Sequence, residues 1–102
     1  PDLLAIEASD LQADPVRPNI IVLTATLRNR GSIAVARPAL ELTLTSAQDQ
    51  TLARRIFLPA DYLPGAADAS GAMPALAEVE VRLELDTADL KPAGYRLFLF
   101  YP

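Results

Sequence analysis

Apolar and polar residues alternate with a period of two in six separate stretches of this chain, and no stretch keeps the 3.6-residue apolar period of a helix over a helix's usual length. A period of two puts successive side chains on opposite faces of an extended strand, so each stretch predicts a strand with one face in a core and one in water. The first runs from Leu3 to Leu11, where Leu4, Ile6 and Ala8 alternate with Leu3, Ala5 and Glu7, and it suits a sheet edge. The second, Ile20 to Arg28, shares Ile21, Leu23, Ala25 and Leu27 on one face and ends at Asn29-Arg30-Gly31, residue types that tolerate the positive φ of a tight reversal. Ala39 to Thr45 has the clearest two-sided pattern, with Leu40, Leu42 and Leu44 opposed to Glu41, Thr43 and Thr45.

A turn at Gln48-Asp49-Gln50 leads into a fourth strand, Thr51 to Leu58, whose central Arg54 and Arg55 point to an edge position. Residues 59–74 form a long connection rich in Pro, Gly and Ala, with one helical turn expected at Asp61-Tyr62-Leu63. The fifth strand, Leu76 to Leu85, turns Ala77, Val79, Val81, Leu83 and Leu85 inward and Glu78, Glu80, Arg82 and Glu84 outward. The sixth runs from Tyr95 to Tyr101. Short strands without helical crossovers pair antiparallel and pack as two sheets, so the expected fold is an all-β, immunoglobulin-like antiparallel sandwich of six to seven strands. The immunoglobulin-like part rests on Lys91-Pro92-Ala93-Gly94-Tyr95, which sets a Tyr at the mouth of the last strand as a structural tyrosine corner does. In that arrangement Leu97 points inward, facing Leu23 or Ala25.

Length agrees with one core: 102 residues make a single domain, expected to span residues 1–102 and to bury about 60–70% of its extended surface. Nine basic and thirteen acidic residues leave a net charge of −4, and the arginines are scattered, which argues against a nucleic-acid partner. No apolar run approaches the roughly 20 residues that cross a bilayer as a helix. The chain contains neither His nor Cys, which removes His bases, Cys nucleophiles, disulfides and nearly every transition-metal site. Ser9, Ser32, Ser46 and Ser70 then have only Lys91 as a base, and they read as turn and surface residues. Glu78, Glu80, Glu84 and Asp86 share the outward face of one strand, where solvated charge is the ordinary outcome. The expectation is no enzyme, no catalytic residue, no metal and no cofactor.

Two features ask for a partner. Arg54 and Arg55 project to opposite faces of their strand, so one is expected to lay its stem on the sheet and the other to meet a carboxylate across the strands. The last strand is apolar on both sides: Tyr95, Leu97, Leu99 and Tyr101 make one face, Phe98 and Phe100 the other. Two Phe rings on the side away from the core need cover, from the 59–74 connection, from the N-terminal strand, or from a partner or second copy.

Leu23-Thr24-Ala25-Thr26-Leu27-Arg28-Asn29-Arg30-Gly31, Pro38-Ala39-Leu40-Glu41-Leu42, Ala53-Arg54-Arg55-Ile56-Phe57-Leu58-Pro59, Tyr62-Leu63 and the closing Ala93 to Pro102 occur in this order along the chain. Together they resemble the bacterial domain of unknown function 3426, and Gly94-Tyr95-Arg96-Leu97-Phe98-Leu99-Phe100-Tyr101-Pro102 is the most specific part. The stretch from Gly65 to Met73 looks lengthened against that pattern. The resemblance implies a zinc ribbon and a single transmembrane helix ahead of this segment. The domain would then be a C-terminal piece of a longer protein, tethered upstream of Pro1 and lying on the periplasmic side of the bacterial inner membrane. The expected function is non-catalytic protein binding or assembly, with Phe98, Phe100, Arg54 and Arg55 as interface candidates facing a protein partner or a second copy. The alternative is a carrier of a small apolar ligand in a cavity under the 59–74 connection, beneath Tyr62 and Leu63.

Overall fold

The computed structural model describes residues 3–63 and 71–102. Its strands are β1 (Leu4–Ala13), β2 (Ile20–Asn29), β3 (Val35–Ala36), β4 (Ala39–Thr45), β5 (Thr51–Phe57), β6 (Ala72–Met73), β7 (Glu78–Asp86) and β8 (Gly94–Phe100), with one helical turn, α1 (Pro59–Tyr62), between β5 and β6. All pairing is antiparallel, in two three-stranded sheets ordered β1-β2-β7 and β5-β4-β8, and a short β3-β6 ribbon. The fold is an all-β antiparallel sandwich: the inward residues of both large sheets, Leu23, Leu27, Leu40, Leu42, Val81 and Leu83 among them, form one buried cluster. The six expected strands are all present, and the two further ones have only two residues each, too few for alternation to register.

The chain passes from one sheet to the other three times, which fixes who pairs with whom. β2 lies between β1 and β7 because all its odd-numbered residues from Ile21 to Asn29 are buried, as suits a central strand. In the other sheet β4 is central, and Ala39, Leu40, Leu42, Thr43, Leu44 and Thr45 are all buried. Both of its faces are therefore shielded, where the sequence pattern expects the Glu41, Thr43 and Thr45 side in water. The shield comes from cross-strand neighbours, since Thr43 lies between Arg54 and Arg96, and Glu41 between Ile56 and Phe98.

In β1 the expected parity fails halfway. Ile6 pairs with Leu27 but Ala8 pairs with Thr26, so Glu7 is an extra residue, a β-bulge. Before it Leu4 and Ile6 face the core. After it Ser9 and Leu11 take that side, and Ala8 turns outward beside Thr26. The single even-numbered face expected for Leu4, Ile6 and Ala8 is thus broken at Glu7, whose carboxylate binds Arg28 at 3.0 Å and Arg30 at 3.3 Å.

Asn29 and Gly31 also act differently from the sequence expectation, for positive φ among non-glycine residues occurs at Asn19, Asp49, Leu76 and Ala88 instead. Asn29 is wholly buried. Its Nδ2 donates to the carbonyls of Ile33, Met73 and Pro74, and its Oδ1 accepts from the Gly31 N–H at 2.9 Å. It ties the end of β2 to the β3 approach and to β6. Gly31 is needed for space: a Cβ there would stand 2.8 Å from Cδ1 of Leu3 and 3.2 Å from Oδ1 of Asn29.

The helical turn overlaps the expected Asp61-Tyr62-Leu63 but starts two residues earlier, at Pro59, and leaves Leu63 extended as its C-cap. Pro59 presets its first φ, and the Asp61 carboxylate accepts the Leu58 N–H at 2.8 Å. The turn delivers Tyr62 into the core, 4% exposed, with its hydroxyl donating to the Pro38 carbonyl at 2.8 Å.

Candidate functional site

The two outer sheet faces differ in chemistry. On β1-β2-β7 the outward row of β7 is Glu78, Glu80, Arg82, Glu84 and Asp86, as the alternation predicts. Two ion-pair networks cross it. Arg28 joins Glu7 to Glu78, and Arg17 joins Asp14 to Glu84, which also meets Arg82 at 2.8 Å. Between them Ala8, Thr24 and Thr26 leave a shallow depression of about 470 Å³, floored by small side chains and open to solvent.

Arg17 holds the carboxyl of Glu84 down at about 2, Arg82 assisting, and its side chain and backbone N–H with that of Val16 hold Asp14 well below the usual carboxylate range. A carboxylate whose folded pKa is depressed contributes stability that is present above its ordinary pKa and lost as pH falls through the folded value. The melting temperature is therefore expected to drop between pH 4.5 and about 2. Arg17→Met should flatten that slope, so that its melting curve and the wild-type curve converge at the acid end. Equal slopes in thermal melts of the two proteins would count against this account.

The outer face of β5-β4-β8 is apolar at its centre. Register places Ile56 of β5 and Phe98 of β8 on either side of Glu41, and Phe100 beside Ala39. Ile56 is 51% exposed and Phe98 is 52% exposed, and Leu58, just past β5, is also exposed; Phe100 is half-buried. One end of the face carries two ion pairs, Arg54 3.8 Å from Glu41 and Arg96 3.2 Å from Asp49. Arg55 lies on the opposite side of β5, its guanidinium 5.4 Å from the centroid of the Phe57 ring. Arg54 and Phe98 therefore share a face that Arg55 does not reach.

Among the described residues, neither of the covers named from within the chain leaves Phe98 buried. β1 belongs to the other sheet, and residues 64–70 of the connection lie outside the described residues. β1 meets β8 on its inward side instead, where the Tyr95 hydroxyl and Ser9 Oγ are 2.8 Å apart. This contact separates Tyr95 from a tyrosine corner, in which the hydroxyl bonds backbone a few residues upstream. The bulge at Glu7 explains it, because only the parity change turns Ser9 toward Tyr95. Leu97 faces inward and packs on the core cluster that contains Leu23 and Ala25.

Of the other sequence candidates, Ser46 accepts the N–H groups of Gln48 and Gln50 in the β4–β5 turn, and Ser70 lies outside the described residues. Tyr62 and Leu63, which the carrier alternative places over a cavity, pack on the core cluster. Sequence reasoning missed Ile56 and Leu58 as members of the exposed face. The signal was available in the pairing of two alternating strands around Glu41, but only once their register is known.

No curated protein matches this chain, and no solved structure matches it. A family profile described as "Protein of unknown function" and designated domain of unknown function 3426 matches residues 1–99, nearly the whole chain. The chain belongs to that family of proteins of unknown function.

Proposed function

We propose that this domain is a non-catalytic protein-binding or assembly module whose contact surface is the outer face of the β5-β4-β8 sheet. The observation that carries the proposal is the pair of half-exposed apolar side chains, Ile56 and Phe98, flanking Glu41 in the middle of a sheet. A sheet face with an apolar centre in water gains by being covered, at roughly 25 cal/mol for each Å² removed from solvent. Arg54 and Arg96 at one end already meet Glu41 and Asp49 of this chain, so the apolar centre rather than charge carries the proposed contact. The lack of His and Cys supports a role without catalysis. The family expectation of a membrane helix ahead of this domain supports a tether upstream of Pro1 and a periplasmic position. A phosphatase fused to the C-terminus of the full-length gene product would be active on that side of the membrane, and an inactive fusion would overturn the placement.

A photo-crosslinking residue at Phe98 or at Ile56 of the full-length gene product is expected to give an adduct of discrete mass in cells. The same residue at Glu80, on the opposite face, is expected to give none. Phe98→Ser and Ile56→Ser should each leave stability within about 0.5 kcal/mol, the usual range for exposed positions. Loss of several kcal/mol in a urea titration would show these side chains to be core and would end the proposal.

A further inference from the structure

The two large sheets have four outer edges, and three are guarded. β1 carries the Glu7 bulge. β5 carries an extra residue, Leu52, in its register with β4, and two adjacent arginines. β7 has a charge at every second position. Bulges and charges of this kind keep an edge from templating another strand. β8 has none of these devices: it is in unbroken register with β4 over seven residues, holds no proline, and has Arg96 as its one charge. Among the described residues β4 is its only ladder partner. The core also thins toward this edge, where Leu97 and Leu99 stay partly exposed although Leu40 and Leu42 beside them are fully buried.

The sequence of this edge is nearly a palindrome. Read in either direction from Phe98, Tyr95-Arg96-Leu97-Phe98-Leu99-Phe100-Tyr101 gives Leu, then Arg or Phe, then Tyr. Antiparallel pairing with an identical strand about a two-fold axis at Phe98 sets Phe98 opposite Phe98, Leu97 opposite Leu99 and Tyr95 opposite Tyr101. The one charge, Arg96, meets the Phe100 ring and never its own copy. Such an interface is self-complementary, as a two-fold dimer requires.

We propose that the occupant of the β8 edge is a second copy of this chain, joined β8 to β8 about Phe98 so that two three-stranded sheets become one six-stranded sheet. This names the partner for the assembly function proposed above and rests on it. The pairing would extend the apolar outer faces into one surface, with the two Phe98 side chains adjacent at its centre.

Light scattering on the purified 102-residue chain over a concentration series tests this, with charge-swapped variants and a cysteine probe. The wild type is expected to reach twice its 11.0 kDa mass. Phe98→Lys and Phe98→Glu alone oppose like charges and should each weaken association by roughly 100-fold, and mixing them should restore the dimer. Directly opposed residues of an antiparallel pair lie about 4.5–5.5 Å apart at Cα, within disulfide reach, and the chain has no other cysteine. Phe98→Cys should therefore oxidise to a covalent dimer, whereas Ile56→Cys, on the same face at the far edge, should not.

A wild type that stays monomeric at every concentration overturns the second copy, while discrete crosslinks from Phe98 in cells would still uphold the wider protein-binding function. A wild-type dimer that the mixed variants fail to restore and Phe98→Cys fails to trap overturns the β8 pairing. The wild-type mass and the cysteine probe decide the matter even if a charged variant does not fold.

Discussion

Asn29→Ala is expected to cost about 3 kcal/mol or more, a large share of the stability of a domain this size. The side chain is wholly buried, its two amide hydrogens are shared among three backbone carbonyls, and its Oδ1 accepts one backbone N–H. Alanine would leave three carbonyls and the Gly31 N–H without that partner, in a place that water reaches poorly. Asn29→Asp is expected to do worse, because it turns the donating amide into a carboxylate oxygen aimed at carbonyl oxygens. Urea unfolding monitored by circular dichroism would measure both. A midpoint within experimental error of the wild type for Asn29→Ala would mean that β3, β6 and the end of β2 hold together without it.

Tyr62→Ala should be comparably severe, about 3–5 kcal/mol, because it removes a buried ring from the core cluster and leaves a void. Tyr62→Phe isolates the hydroxyl, whose bond to the Pro38 carbonyl is worth about 1 kcal/mol. Burial pushes the Tyr62 phenol up to about 12, against the lowering charge of Arg37 and with a smaller upward contribution from Tyr101. A phenol raised above its ordinary value of 10 contributes stability that is complete below pH 10 and lost as pH rises toward 12. The wild type should therefore lose stability over that alkaline window, and Tyr62→Phe should lose less. If Tyr62→Ala keeps wild-type stability and takes up an apolar probe, the region holds a ligand space and the carrier function gains ground.

Much of this fold was legible in the sequence because alternation has a period that no other element shares. β4 and β8 show this best: Leu40, Leu42 and Leu44 against Glu41, Thr43 and Thr45, and Phe98 and Phe100 against Leu97 and Leu99, all lie on the faces that period two assigns. What alternation cannot encode is a change of parity. Glu7 looks like any polar residue between apolar ones, yet its extra position moves Ser9 and Leu11 onto the core side and Ala8 off it. Burial on the Thr43 side of β4 was equally hidden, since it depends on which strands flank β4. Asn29-Arg30-Gly31 marked the end of β2 correctly, but through polar bonding and close approach rather than the tight positive-φ reversal expected, and composition alone does not separate the two. For the candidate site, Phe98 could be named from one strand. Ile56 could not, because its nearness to Phe98 is a property of three paired strands.

The crossing of the chain between sheets has a consequence in time. β1 with β2, and β4 with β5, are hairpins closed by short turns, and such pairings form on the order of microseconds. The other two ladders are remote: β2 meets β7 from Ile20 with Asp86 to Arg28 with Glu78, and β4 meets β8 from Ala39 with Phe100 to Thr45 with Gly94. Chain entropy must be surrendered over those long closures before their contacts reward it, which places the domain among slow folders, on the order of milliseconds to seconds. β8 is the last strand of the chain and belongs to one of the two slow ladders. Until it docks, β4 offers an open apolar edge, so this last stretch has to arrive in time to protect its own sheet.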